Sequence, residues 1–180
     1  MSKQIIDNVE HLPQFTITSH EARIGTFKPL KKAVHIPKTK SNEGQPVRVA
    51  SEGDEDVLKV ELGFSLVTTS HICDCFDRRI YDVMISNPRI PSIKVVSQLH
   101  RQHITINESL EFSDCLITNI DLMVRNDGLV FLSFKAKVTV KANELAILAE
   151  FWKEPIMLDI EPEDDEKGDD GQEDGFLEDL

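Results

Sequence analysis

Cysteine, glycine and aromatic rings are all scarce in this chain, and each scarcity removes a class of protein. Three cysteines in 180 residues, an odd number with two of them at Cys73 and Cys75, cannot complete a disulfide framework of the kind that holds small secreted domains. Reduced thiols and a cytoplasmic location are therefore expected. With eight glycines, several of them needed at turns, a nucleotide-cradling loop is hard to build. No Gly-rich phosphate loop, serine elbow, metalloprotease helix or calcium loop is present. No stretch approaches the roughly 20 apolar residues of a membrane-spanning helix. The amino-terminal residues also lack the basic start and apolar run of a secretory signal, which leaves only non-classical secretion open. Asn107-Glu108-Ser109 matches a glycosylation acceptor, but that pattern matters only in the secretory pathway.

What the chain does contain is aliphatic and β-branched. One Trp and one Tyr stand against nine Phe, and a core of Val, Ile, Leu and Phe suits a β-sandwich or barrel. The length fits one domain. The formal charge of −12 is concentrated at one end: Glu161 to Leu180 holds eleven acidic residues and one Lys, leaving −2 for residues 1–160. The acidity thus describes a tail rather than a surface. With only Phe176, Leu177 and Leu180 to bury, that tail is expected to be disordered.

Periodicity divides the rest. Residues 1–50 are polar and punctuated by Pro13, Pro29, Pro37 and Pro46, which reads as a basic arm lying partly on the domain. Val57 to Val67 places Leu58, Val60, Leu62, Phe64 and Leu66 on one face, and Leu129 to Lys141 does the same with Val130, Leu132, Phe134, Ala136, Val138 and Val140. A period of two excludes a helix in both. Further strands are expected at Arg79–Ile85, Ile93–Leu99, His103–Phe112, Cys115–Val124 and Pro155–Ile160. Asn126-Asp127-Gly128 signals a tight hairpin turn. Asn143 to Trp152 is the helical candidate, with Asn143 as its cap. The fold class that follows is all-β: an antiparallel β-sandwich or Greek-key barrel over residues 51–160, with one short helix near the C-terminal end and disordered termini.

Several constellations bear on chemistry. His71, Cys73 and Cys75 share a face if their segment is extended and are weak candidates for a metal site, because a second ligand pair is missing unless Cys115, His100 or His103 supplies it. Buried thiols acting as small hydrophobes are the simpler reading. Asp74, Asp77 and Asp82 lie close together, but Arg78 and Arg79 among them point to a salt-bridged turn. A cysteine nucleophile has no recognised local signature. No catalytic residue and no cofactor are assigned, and the protein is expected not to be an enzyme.

Binding remains. Lys28, Lys31, Lys32, Lys38 and Lys40 of the arm are candidates for contacts with anions or nucleic acid, including RNA. Lys135, Lys137 and Lys141 form a second anion face, or simply the wet side of a strand. The acidic tail reads either as a solubility appendage or as a docking segment for a basic partner, the chain's own arm included. A ligand-carrying barrel would require an apolar cavity that alternation does not reveal.

Two resemblances add to this. Val34-His35, Val47, Val49, Glu52, Asp54, Gly63-Phe64, Pro91-Ser92-Ile93 and the acidic end with Gly175-Phe176 run in an order similar to the adipose-secreted signaling protein family. That family has a comparable length and no signal peptide, and the resemblance implies a non-enzymatic signalling or binding protein. Asp77 and Arg79, Ile104-Thr105, Gly128 and Leu132-Ser133 resemble the pattern of the tobamovirus-like movement-protein superfamily, which implies RNA binding in a viral protein. The leading expectation is a non-catalytic protein acting through protein–protein interaction in signalling or assembly. The alternative is a viral or cellular nucleic-acid-associated protein, such as a movement or matrix factor.

Overall fold

The computed structural model describes residues 12–30 and 57–163. Within them run β1 (Ile17–Pro29), β2 (Val57–Thr68), α1 (His71–Asp74), α2 (Ile80–Ser86), β3 (Ile93–Val95), β4 (Leu99–Ile106), β5 (Leu110–Val124), β6 (Val130–Lys141), α3 (Ala142–Glu150) and β7 (Pro155–Pro162). Residues 1–11, 31–56 and 164–180, which hold most of the expected arm and tail, lie outside the described residues, whereas Glu161 and Pro162, expected in the tail, belong to β7.

The long strands β2 and β6 form the spine. Their alternation is unbroken, so they pair in register from Val57 opposite Lys141 to Thr68 opposite Val130 without a shift. Val60, Leu62, Phe64 and Leu66 meet Val138, Ala136, Phe134 and Leu132 on the inner side, all of them buried. Burying each large side chain of this kind contributes about 1.5–3 kcal/mol. The sheet then continues around: β5, β4, β7, β1, β2 and β6 are neighbours in that order, and β5 also pairs with β6, so the sheet closes on itself. All of its ladders are antiparallel. Strand β3 extends the edge of β5 at Ile120–Leu122, beyond the point where β4 ends its pairing at Ile117.

The result is a closed barrel, the second of the two expected architectures. Its β4, β5 and β6 are consecutive neighbours while β7 returns beside β4, which is the Greek-key order. Closure needs strong coiling, and bulges supply it. Ser19, Asp114 and Asn119 adopt positive φ at register shifts in β1 and β5. Carboxylates hold two of them: Asp159 Oδ1 accepts the Ser19 N–H at 2.6 Å, and Glu163 Oε1 accepts the Asp114 N–H at 2.7 Å.

Several expectations need correction. Residues 17–29 are not arm: β1 sits inside the sheet between β2 and β7, so the domain does not begin at residue 51. Arg79–Ile85 is helical, because Ile80 and Met84 stand one turn apart against the core while Asp77 Oδ1 accepts the Arg79 N–H at 2.8 Å and starts the turn. The strand expected over Ile93–Leu99 stops at Val95, and His103–Phe112 is two strands joined at Asn107 to Ser109. The helix near the C-terminal end is capped by Lys141 rather than Asn143, with Glu144 Oε2 accepting the Lys141 N–H at 2.7 Å. The hairpin at Asn126-Asp127-Gly128 forms as expected, Gly128 taking φ +81° and accepting a hydrogen bond on its carbonyl from the Tyr81 hydroxyl at 2.9 Å.

Candidate functional site

The barrel interior is filled by side chains. Phe64 and Phe134 stack at 5.4 Å, and Phe15 meets Phe134 edge-on at 6.2 Å and Phe76 at 5.6 Å.

The expected metal candidates do not converge. Their segment coils as α1 instead of extending, and in a helix residues two apart point in nearly opposite directions. Cys73 is buried, Cys75 is half-buried against the Gln14 carbonyl, and His71 is 88% exposed beside Asp74 at 3.4 Å. Among the described residues no group of three His, Cys, Asp or Glu side chains could hold a metal ion. Asp77 and Arg79 form the expected surface ion pair at 2.7 Å, which holds the Asp77 carboxyl down to about 2 through hydrogen bonds from Arg79.

The thiols are chemically quiet. Burial, with the Asp74 carboxylate beside it, pushes Cys73 up to about 11, and burial with Glu163 and Asp114 nearby pushes Cys115 up to about 12. Cys75 is raised for the same first reason. Unfolded thiols titrate near 8.5. Below that pH both states hold the proton and the stabilisation is intact; above it the unfolded chain releases protons that the folded chain keeps, so stability falls as pH rises towards 11–12. Urea unfolding at pH 7 and pH 10 is expected to show this loss, and Cys115→Ala should flatten it. At neutral pH a disulfide reagent should modify Cys75 first and Cys73 and Cys115 only as fast as the chain opens.

The outer face of β1, β2 and β6 is different in kind. Lys28, the one described member of the arm's candidate lysines, lies on β1 opposite Glu61 of β2, which lies opposite Lys137 of β6. The next outer row is Thr26, Gly63 and Lys135, and the one after it Arg23, Ser65 and Ser133. Towards the other end stand Lys59 beside Thr139 and Lys141 opposite Val57. The outer positions of these strands therefore gather Arg23, Lys28, Lys59, Lys135, Lys137 and Lys141 against Glu21 and Glu61. Glu61 holds Lys135 Nζ at 3.0 Å. Lys31, Lys32, Lys38 and Lys40 lie outside the described residues.

In the middle of this face is a cleft of about 230 Å³ lined by Gly25, Thr26, Gly63, Asn119, Ser133 and Lys135, with Phe64 and Phe134 also contributing. On its floor Gly63 of β2 leaves room for the Thr26 side chain of β1 to lean over it. An added Cβ there would overlap Oγ1 of Thr26 and lie 3.3 Å from its Cβ.

The far side of the barrel has the opposite character. Between β4, β7 and the start of β1 a second groove of about 300 Å³ is lined by Thr16, Thr18, His103, Thr105, Asp159 and Glu161. Asp159 is occupied in holding the Ser19 bulge. The Ser113 hydroxyl meets His103 Nδ1 only at 3.4 Å, longer than an activated nucleophile requires.

The row Lys135, Lys137 and Lys141 was legible from alternation alone. Arg23, Lys28 and Lys59 join it only through the strand pairing. Among the described residues no helix is long and apolar enough to cross a membrane. No protein-family model matches the chain, and neither a curated protein nor a solved structure matches it.

Proposed function

We propose that this is a non-catalytic binding protein that acts through protein–protein interaction, and that the outer face of β1, β2 and β6 receives an acidic segment of its partner. The observation that carries this reading is the convergence of cations from three strands around one cleft. Lysines at sheet spacing steer an anionic chain and set its register, while a small apolar recess between them admits one side chain. Under this reading its role lies in signalling or assembly.

One feature favours a second reading, that of a nucleic-acid-associated protein. Lys28 and Lys59 stand where the chain passes into residues 31–56, and Lys31, Lys32, Lys38 and Lys40 extend that positive charge in sequence. Against it, no aromatic ring among the described residues is exposed for base stacking, the usual anchor of single-stranded RNA.

The test compares a fluorescent acidic peptide bearing one central Phe with a single-stranded RNA oligomer, each titrated into the full chain. Peptide binding that weakens between about 0.05 and 0.3 M salt, and is abolished by Lys59→Glu with Lys137→Glu, is the expected result. Preferential binding of RNA transfers the face to the second reading. Binding of neither probe, at low salt and in large excess, rejects both.

A further inference from the structure

We propose that the acidic C-terminal segment of this chain is itself a ligand of the β1–β2–β6 face, with Phe176 seated in the cleft over Gly63 and Asp174 and Glu178 reaching the cations on either side. The inference rests on the reading of that face as a surface for acidic segments. It adds a named occupant, and with it a means by which the chain competes against its own partner.

Charge is the first argument. Residues 164–180 carry nine carboxylates and one lysine, whereas the face gathers six cations around two carboxylates. The acidic side of the barrel, with Asp159, Glu161 and Glu163, is the side that β7 leaves from. Repulsion there and attraction across the barrel both direct the segment towards β2.

Spacing is the second argument, and it is more specific than charge. The cleft row of Thr26, Gly63 and Lys135 is flanked two residues away on one side by Lys28 and Lys137, and on the other by Ser65 and Ser133, with Arg23 in the same row three residues from Thr26 across the β1 bulge. Two residues along a strand cover about 7 Å. The segment Asp174-Gly175-Phe176-Leu177-Glu178 has its acids two residues before and two after the ring, so an extended chain repeats the same interval. The aromatic side chain then faces the cleft beside Gly63, one carboxylate lies in the row where Lys28 and Lys137 flank Glu61, and the other lies in the row that holds Arg23. Few other arrangements in the acidic segment offer this, since Phe176 is its single aromatic residue.

Reach is the third. Glu163 is tied to the barrel by its backbone N–H donating to the Arg101 carbonyl at 2.9 Å, and by its carboxylate at Asp114. Along β1, the rows paired to Ile160 and to Gly63 lie nine residues apart, from Ile17 to Thr26, or about 30 Å; Glu163 lies three residues beyond Ile160, about 10 Å further away, and two strand spacings across bring the diagonal to about 41 Å. The thirteen residues from Glu163 to Phe176 can span about 45 Å when extended. The segment therefore reaches the cleft when it is nearly extended.

Zero-length carbodiimide coupling of the dilute full-length protein, read by peptide mass spectrometry, tests the proposal directly. Asp174 or Glu178 is expected to couple within one chain to Lys28, Lys135 or Lys137, and Phe176→Ala should cut that yield several-fold. Coupling that spreads equally to Lys94 and Lys153, that links two chains, or that Phe176→Ala leaves unchanged overturns it. A second measurement uses the acidic fluorescent peptide: Asp174→Ala with Phe176→Ala and Glu178→Ala should bind it about tenfold more tightly than the unaltered chain, because a tethered competitor has been removed. Equal, measurable affinity in both chains overturns the tethered ligand and leaves the face standing. Absence of peptide binding in both, with the specific cross-links also absent, ends the two readings together.

Discussion

Replacement of Phe134 by alanine is expected to destabilise the protein by about 3–5 kcal/mol, the range for removing a fully buried aromatic ring. The ring is 2% exposed, stacks on Phe64 at 5.4 Å and receives the edge of Phe15 at 6.2 Å. Three segments distant in the chain, the lead into β1, β2 and β6, therefore meet at this side chain. A barrel interior cannot collapse easily onto a vacated site, because its walls are joined by hydrogen bonds all the way round, so the cavity penalty is added to the lost transfer energy. Urea unfolding measures the loss. Phe131, on the same strand but on the outer side and half-buried, serves as the internal reference and should cost much less on the same change. A loss below about 1 kcal/mol at Phe134 would contradict this account of the core.

Gly63→Ala should cost about 1–3 kcal/mol, although it adds only one methyl group on the outer face. Most outer positions of a strand accept alanine at little cost. Here the new Cβ overlaps Thr26 Oγ1, and the Thr26 Cβ at 3.3 Å leaves the hydroxyl little freedom to withdraw. The change is expected to couple to Thr26. With Thr26→Ala in the background, most of the loss from Gly63→Ala should disappear, a non-additive result in a double-mutant cycle. Additive losses would show that Gly63 is needed for some reason other than contact with Thr26.

The strands differed in how legible they were, and the reason is bulges. In β2 and β6 the buried residues keep one parity throughout, and both strands were readable within a residue or two of their ends. In β5 the buried positions are 110 and 112, then 115 and 117, then 120 and 122, so the parity changes at each register shift. A strand of this kind reads as separate fragments. In β1, Ile17 is followed by Ala22 and Ile24 and then by Phe27, again with a change at each irregularity. Its pattern therefore reads as part of an arm. Bulges coil a sheet into a barrel and also erase its periodicity. The segment around His71, Cys73 and Cys75 failed as a ligand set for a related reason: its geometry depended on extension, and helical winding turned Cys73 away.

The amino-acid sequence by itself determined the β character, the principal core strands, the Asp127-Gly128 turn and the separation of acidic charge into one end. These are local properties, set by alternation, by permissive backbone positions and by composition. Closure of the sheet, the inclusion of β1 and the assembly of Arg23, Lys28, Lys59 and Lys137 around a glycine-floored cleft were decided only by the tertiary structure. Each of these depends on which strands lie side by side and in what register. Pairing between residues more than seventy positions apart, such as Glu61 with Lys135, arises from the packing of the whole core and leaves no signature in either strand alone.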